Sequence, residues 1–126
     1  MSKIGCIYTV AFRYYDLKTN SMKTKQRPFL IIKEEDSNPP IDLTVLPIST
    51  ISRKNRINIY YDIKIENIKY PNLNLTKDTS YIRTNKIQTI NEKDLLKKVS
   101  NNCKDLYPDL YQEIRNKVSS FYTDVL

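Results

Sequence analysis

The apolar side chains of this chain change their spacing once, close to its end, and that change constrains the fold more than any other feature. From Ile57 to Glu66 they alternate with polar side chains, which is typical of a strand with one buried and one wet face. From Leu106 to Val125 they recur at three- and four-residue steps, as in an amphipathic helix, with Pro108 in its first turn. The sequence therefore predicts a mainly β protein with a C-terminal helix.

Several shorter segments also carry the signature of strands. They are residues 4–14, 29–33, 41–48, 80–83 and 96–100, and a short helical turn is predicted near 92–95. The segment 29–33 is apolar throughout, as expected for a strand covered on both faces. Polar composition predicts loops at 16–26, 49–55 and 67–78. About five short strands and one terminal helix indicate a small antiparallel barrel with the helix packed against it.

The length and the N-terminal sequence bound the kind of protein. A chain of 126 residues has the size of one domain, and we interpret residues 1–126 as a single domain. No stretch approaches the roughly 18 consecutive apolar residues of a membrane span, and the N-terminus lacks the core of a signal peptide. We therefore expect a cytoplasmic location.

Residues that bind metals are scarce. The chain contains no His, and its two cysteines, Cys6 and Cys103, lie far apart without a metal-binding spacing. We expect both thiols to be reduced, and we expect no metal and no other cofactor.

The charge favours an anionic partner. Lys and Arg outnumber Asp and Glu by 21 to 14, which gives a formal net charge of +7. Such a balance suits nucleic acid, an acidic protein, or both. A composition rich in Lys and Asn also arises in AT-rich genomes, so the charge does not decide the function by itself.

Three segments, in this order, resemble those of one known family. They read KQRPFLII at 25–32, VLPIST at 45–50 and SYIRTNKIQTI at 80–90. They are similar to the Arg-Pro that precedes an apolar strand, the strand that ends in Pro-Ile/Val-Thr/Ser, and the stretch that ends in Thr-Ile in the MazF/PemK/Kid toxins. Each segment alone is a weak signal, but together with Gly5 and the terminal helix the resemblance spans nearly the whole chain.

The resemblance implies a fold, an activity and two partners. The fold is of the SH3-like barrel type, and the protein is a homodimer. The activity is that of a type II toxin–antitoxin toxin: metal-independent, sequence-specific cleavage of single-stranded mRNA, which blocks translation. Attack by the ribose 2′-OH leaves 2′,3′-cyclic phosphate and 5′-OH ends. A cognate antitoxin, which we expect to be acidic, neutralises the toxin.

The sequence also departs from the family pattern. Many members have an acidic residue after the opening Gly, where this chain has Cys6. Many have Asp or Glu near the position of Asn85, and many have Arg where Gln88 stands. These departures leave the identity of the general base open.

Three residues are candidates for catalysis. Arg27 opens a buried strand after a basic segment, where its guanidinium can be held rigidly and can bind two phosphate oxygens, and the matching Arg is catalytic in the family. Arg83, a candidate second cation or acid, matches a catalytic Arg in some members. Ser49 ends a strand where a hydroxyl can grip a phosphate. The competing interpretations are surface arginines and a turn formed by hydroxyl side chains.

Other residues are candidates for binding the substrate. Single-stranded RNA suits a basic groove with aromatic rings on which unpaired bases stack. The candidates are Thr50, Asn85, Lys25, Lys23, Arg53 and Tyr81, with Tyr14, Tyr15 and Tyr60 as further stacking surfaces.

The base that removes the 2′-OH proton has no clear candidate. An amide such as that of Asn85 is not a base at neutral pH, so it would orient the ribose or a nucleobase instead. Asp16, Asp78 and Glu92 are alternatives, and each is also explained as an ordinary exposed carboxylate.

A function without RNA cleavage is the main alternative. It would be a non-catalytic SH3-like binding module, or a toxin of the same fold that poisons a topoisomerase. The absence of His and the amide at Asn85 favour it.

Overall fold

The computed structural model describes residues 2–51 and 53–126, which form seven strands and two helices. The strands are β1 (Ile7–Asp16), β2 (Ser21–Glu34), β3 (Asp42–Ser49), β4 (Asp62–Glu66), β5 (Thr79–Arg83), β6 (Gln88–Asn91) and β7 (Leu95–Ser100). The helices are α1 (Cys103–Leu106) and α2 (Pro108–Val125), and short 3-10 turns span Lys54–Arg56, Pro71–Leu73 and Glu92–Asp94. The predicted fold class, mainly β with a C-terminal helix, is confirmed.

The strands form one antiparallel sheet in the order β4-β5-β3-β2-β1-β7. The central strand β3 pairs with β2 along one edge and divides its other edge between two strands. Residues 42–45 pair with β6, and Ile48 and Ser49 pair with β5. Within the described residues β4 and β7 do not pair with each other, so the curled sheet does not close into a complete barrel.

The polar segment 16–26 was predicted to be a loop, and this prediction is wrong for most of its length. β1 and β2 form a long hairpin whose pairing runs out to Asp16 and Ser21, so only residues 17–20 form the turn. Asn20 takes a positive φ of 53° there, a conformation that Asn tolerates better than most residues. The outer hairpin is exposed on both faces, so no alternation of apolar residues marks it as strand.

The predicted strand from Ile57 begins late, at Asp62. The side chain of Asn58 accepts hydrogen bonds from the backbone N–H groups of Tyr60 and Tyr61, both at 3.0 Å. Such local bonds compete with strand pairing, and they turn the chain here. Ile59, which the alternation placed on the buried face, is 95% exposed. The four-residue strand β6 was not predicted, because so short a segment carries little periodicity.

Two apolar clusters build the core. Leu30 belongs to the larger one, which includes the buried α2 residues Leu110 and Ile114. Its neighbours on β2, Phe29 and Ile31, belong to the second cluster. Since successive side chains of a strand point to opposite faces, β2 is covered on both, as its sequence predicted.

No helix in the described part of the chain is long and apolar enough to cross a membrane.

The single glycine joins the sheet to α1. Gly5 has a φ of 86°, and a Cβ at this position would collide with the side-chain amide of Asn102. Its N–H donates to the carbonyl of Ile31, and its carbonyl accepts from the N–H of Cys103, both at 2.7 Å. A residue without a side chain is therefore required where the segment before β1 passes the start of α1.

Cys6 and Cys103 are buried free thiols. Burial raises the pKa of both, that of Cys103 to about 11, because a thiolate is poorly solvated in the core. Neither thiol is therefore a strong nucleophile at neutral pH.

Two isoleucines from the same predicted strand test the correction at β4. Ile65→Ala, at a position that is 1% exposed, is expected to lower the free energy of unfolding by about 2–5 kcal/mol. Ile59→Ala, the same change at an exposed position, is expected to alter it by less than about 0.5 kcal/mol. Urea denaturation followed by circular dichroism measures both. Similar losses in the two variants would contradict the turn at Asn58.

Candidate functional site

A cavity of about 560 Å³ opens at the C-terminal end of β3. Five cationic side chains line it: Arg27, Arg53, Arg56, Arg83 and Lys86. The polar residues Ser49, Thr50 and Gln88 and the apolar residues Phe29, Pro47 and Ile51 complete the lining. No carboxylate from the described residues belongs to it. The cavity is therefore a candidate site for an anion.

Strand register explains why these residues meet. Phe29 of β2 lies opposite Pro47 of β3, so continuing the antiparallel register by two residues brings Arg27 opposite Ser49. Ser49 in turn lies opposite Tyr81 of β5, and Arg83 follows two residues later on the same face. Three segments that are distant in the sequence thus place their side chains at one end of β3.

Arg83 is held by a buried carboxylate. Its Nε donates to Oδ1 of Asp62 at 2.9 Å, and the side chain of Asp62 has no exposed surface. The backbone N–H of Asn58 donates to the other oxygen of Asp62 at 2.8 Å, and Nη2 of Arg83 donates to the carbonyl of Arg56 at 3.4 Å. A guanidinium has five N–H groups, so about three remain to bind a ligand in the cavity.

The other four cations of the cavity lack such a partner. Across residues 2–51 and 53–126, no carboxylate lies within salt-bridge distance of Arg27, Arg53, Arg56 or Lys86. Like charges that converge without counterions repel one another and attract anions. One singly charged anion would balance only part of this charge, so the site favours a polyanion.

The structure brings together five of the nine residues predicted for the site. Arg27, Ser49, Thr50, Arg53 and Arg83 line the cavity, and Asn85, Lys23, Lys25 and Tyr81 do not. Asn85 lies in the turn between β5 and β6, where its buried Oδ1 has no hydrogen-bond partner among the described residues. Tyr81 is half-buried on β5.

The two lysines lie on the hairpin instead. Lys23 and Lys25 are exposed on β2, and Lys23 forms a salt bridge of 3.0 Å with Asp16. Because side chains two residues apart share a face of a strand, Lys23 and Lys25 form a basic row that leads to Arg27. Tyr14, directly opposite Lys23, lies on the same face. We refer to Lys23, Lys25 and Tyr14 together as the hairpin track.

None of the candidate bases lines the cavity. Asp16 contacts Lys23, and this hydrogen bond lowers the pKa of the Asp16 carboxyl. Glu92 accepts from the backbone N–H of Ile41 at 2.9 Å, and Asp78 is exposed in the loop before β5. Of the further stacking candidates, Tyr14 and Tyr15 are exposed on the hairpin.

Tyr60 packs against α2 rather than facing the cavity. Its ring lies 4.0 Å from the ammonium of Lys117, and its hydroxyl is 3.0 Å from that of Ser120. These contacts hold the large, half-exposed ring of Tyr60 against α2, so its position is explained without a ligand.

Sequence reasoning missed two residues of importance. Lys86 lines the cavity, and its position between Arg83 and Gln88 in the third family segment was the available signal. Asp62 had no signal, because the alternation from Ile57 placed it on the wet face, whereas the structure buries it against Arg83.

The fold and the cavity define a small β protein with a cation-lined site for a polyanion. The chain belongs to the family of PemK-like, MazF-like toxins of type II toxin–antitoxin systems, whose family model matches residues 3–122. The resemblance found in the sequence is thereby confirmed, and membership implies an antitoxin as partner. No curated protein matches the chain.

A single-stranded oligodeoxynucleotide, which has phosphates but no 2′-OH, probes the cavity as a polyanion site. The logarithm of the binding constant falls with the logarithm of the salt concentration, and each phosphate contact contributes about 0.7 to the magnitude of this slope. Arg56→Gln is therefore expected to make the magnitude of the slope smaller by about 0.7. Arg115→Gln removes an exposed charge from α2 and is expected to leave the slope unchanged. Fluorescence anisotropy at several salt concentrations measures this. A slope that Arg56→Gln does not alter would contradict the assignment.

Proposed function

We propose that this toxin is a metal-independent endoribonuclease that cleaves single-stranded mRNA at short sequences and thereby blocks translation. One observation carries the proposal: Arg27, Ser49 and Arg83, which come from three strands, line one cavity. Family membership adds support, since the resemblance assigns catalytic arginines to positions 27 and 83.

The proposed reaction is an internal transesterification. The ribose 2′-oxygen attacks the adjacent phosphorus, so that an O2′–P bond forms while the P–O5′ bond breaks. The electron pair of the broken bond leaves with O5′, which takes a proton and becomes a 5′-OH. The other product is a 2′,3′-cyclic phosphate. The five-coordinate phosphorus on the way carries more negative charge than the starting diester, so fixed cations lower its energy most.

The residues of the cavity fit these demands. Arg27 and Arg83 grip the non-bridging oxygens, because a guanidinium binds two oxygens at once and stays charged. Ser49 donates its hydroxyl hydrogen to the same phosphate. Thr50, Arg53, Arg56 and Lys86 bind the neighbouring phosphates of the strand.

Solvent completes the proton balance. The described lining holds no carboxylate and the chain has no His, so water takes the proton of the 2′-OH. O5′ receives its proton from water, because the guanidinium of Arg83 stays charged.

The hairpin track provides a path for the rest of the strand. Lys23 and Lys25 attract the RNA backbone, and the exposed ring of Tyr14 offers a surface for one unpaired base. A duplex keeps its bases stacked in pairs and cannot offer them to such a ring, so single strands are favoured.

Cleavage of RNA in the presence of EDTA tests the activity. A long single-stranded RNA is expected to give discrete fragments with 5′-OH ends, which a polynucleotide kinase labels without prior phosphatase treatment. Arg27→Ala is expected to lower kcat/KM by about 100- to 1,000-fold, because a charged contact of the transition state is lost. Ser49→Ala removes one neutral hydrogen bond and is expected to lower it by about 10-fold.

Arg115→Ala, on the exposed surface of α2, serves as the control and is expected to cleave like the wild type. Intact RNA of many sequences, with a folded protein, would contradict the proposal. A growth assay then separates the alternatives, because overexpression of an adaptor is tolerated, whereas overexpression of a topoisomerase poison is not.

The antitoxin is proposed to be an acidic chain that covers the cavity of a toxin homodimer. The unpaired cations of the cavity attract acidic side chains as well as phosphates, so the antitoxin and the oligodeoxynucleotide are expected to compete. The product of the neighbouring reading frame, added to the labelled complex, is expected to release the DNA. Its expression together with the toxin is expected to restore growth. A ternary complex of toxin, DNA and antitoxin would contradict the proposed position of the antitoxin over the cavity. Sedimentation of the toxin alone is expected to give the mass of a dimer.

A further inference from the structure

We infer that Asp62 is a positioning residue of the proposed ribonuclease, which acts only by holding Arg83 in the orientation that grips the scissile phosphate. The inference rests on the proposed function and adds a residue that neither the sequence pattern nor the lining of the cavity identifies. It concerns the first residue of β4, which lies directly opposite Arg83 in the pairing of β4 with β5.

The carboxylate of Asp62 is fixed at both oxygens. Oδ1 accepts from Nε of Arg83 at 2.9 Å, and Oδ2 accepts from the backbone N–H of Asn58 at 2.8 Å. The backbone N–H of Asp62 donates back to the carbonyl of Asn58 at 2.9 Å, which closes a small ring of bonds. The carboxylate therefore cannot rotate without breaking a bond, and its orientation is passed on to the guanidinium.

The same contacts exclude Asp62 from proton transfer. Its side chain has no exposed surface, it does not line the cavity, and both oxygens already accept N–H groups. A general base must reach the 2′-OH directly or through one water. Asp62 consequently takes no proton itself and influences the chemical step through Arg83.

Stability alone does not explain the pair. Burial removes two charges from water, and their attraction commonly repays this loss only in part, so an apolar pair of similar volume is often as stable. The pair also removes one positive charge from a site whose other four cations have no carboxylate partner in the described chain. This neutralisation weakens the attraction for RNA. What the pair provides in return is a guanidinium with one fixed direction, about 80% buried and open to the cavity at its remaining N–H groups.

Because the pair orients Arg83 but weakens the attraction for RNA, Asp62→Asn is expected to change kcat and KM in different ways. Without the fixed carboxylate, Arg83 is less well aligned in the transition state, and a misplacement of this kind lowers kcat by up to about 100-fold. Loss of a negative charge beside the cavity strengthens ground-state attraction, so KM is expected to stay equal or to fall. A general loosening of the fold would instead raise KM or reduce the folded fraction.

A double-mutant cycle tests the inference. Wild type, Asp62→Asn, Arg83→Ala and the double variant are compared in kcat and KM for one RNA, with thermal melting to measure the folded fraction. If Asp62 acts on the chemical step only through Arg83, the kcat of the double variant is expected to match that of Arg83→Ala within about twofold, because no cation remains at position 83 for Asp62 to hold. Glu66→Gln, which removes an exposed charge at the other end of β4, is the control and is expected to match the wild type.

Each other outcome overturns the inference. Losses in kcat that multiply in the double variant would mean that Asp62 and Arg83 act independently. A raised KM with unchanged kcat would make Asp62 a residue of binding or folding. If Asp62→Asn does not fold, Asp62→Glu takes its place in the cycle, since it keeps the charge but moves the carboxylate by one methylene. A wild type that leaves RNA intact defeats the proposed function itself, whereas an active wild type with an equally active Asp62→Asn defeats only the role of Asp62.

Discussion

The divided edge of β3 is the constraint on which the rest of the structure depends. Along its first half β3 pairs with β6, and along its second half it pairs with β5. The chain between those two strands therefore crosses the edge of β3 within a few residues, and the hydroxyl of Thr84 ties it to the carbonyl of Tyr61 at 2.6 Å. Where the two strands separate, residues 46 and 47 of β3 pair with neither of them, and Arg27, Ser49 and Arg83 line the cavity at this end of β3.

The cavity concentrates charge that the fold does not balance. Four cations converge without a carboxylate partner in the described chain, and only Arg83 has one, in Asp62. Repulsion of this kind opposes folding, and the apolar clusters on both faces of β2 offset it. Natural proteins commonly accept such a local loss of stability at sites that bind a ligand. The unbalanced charge is thus more readily explained by an anionic ligand than by the fold.

Most of the fold and about half of the candidate site were accessible from the sequence. The strands β1, β2, β3, β5 and β7 and the helix α2 were predicted from apolar residues, which run without interruption in the inner part of β2 and recur at three- and four-residue steps in α2. The outer hairpin was missed because both of its faces are wet, and residues 57–61 were misassigned because the side chain of Asn58 holds a turn inside an alternating pattern. Both errors affected residues of the site. Lys23 and Lys25 were predicted in a loop but lie on a strand, and Asp62 was predicted on a wet face but is buried.

The sequence by itself determined the fold class, the family and the identity of Arg27, Ser49 and Arg83 as candidates. These follow from local order along the chain, namely periodicity and short motifs, which exist before any folding. Only the tertiary structure decided that the three side chains share one cavity, that Lys23, Lys25 and Tyr81 lie outside it, and that Asp62 holds Arg83. The reason is physical: convergence depends on the register between strands far apart in the sequence, and the burial of a carboxylate depends on what packs over it.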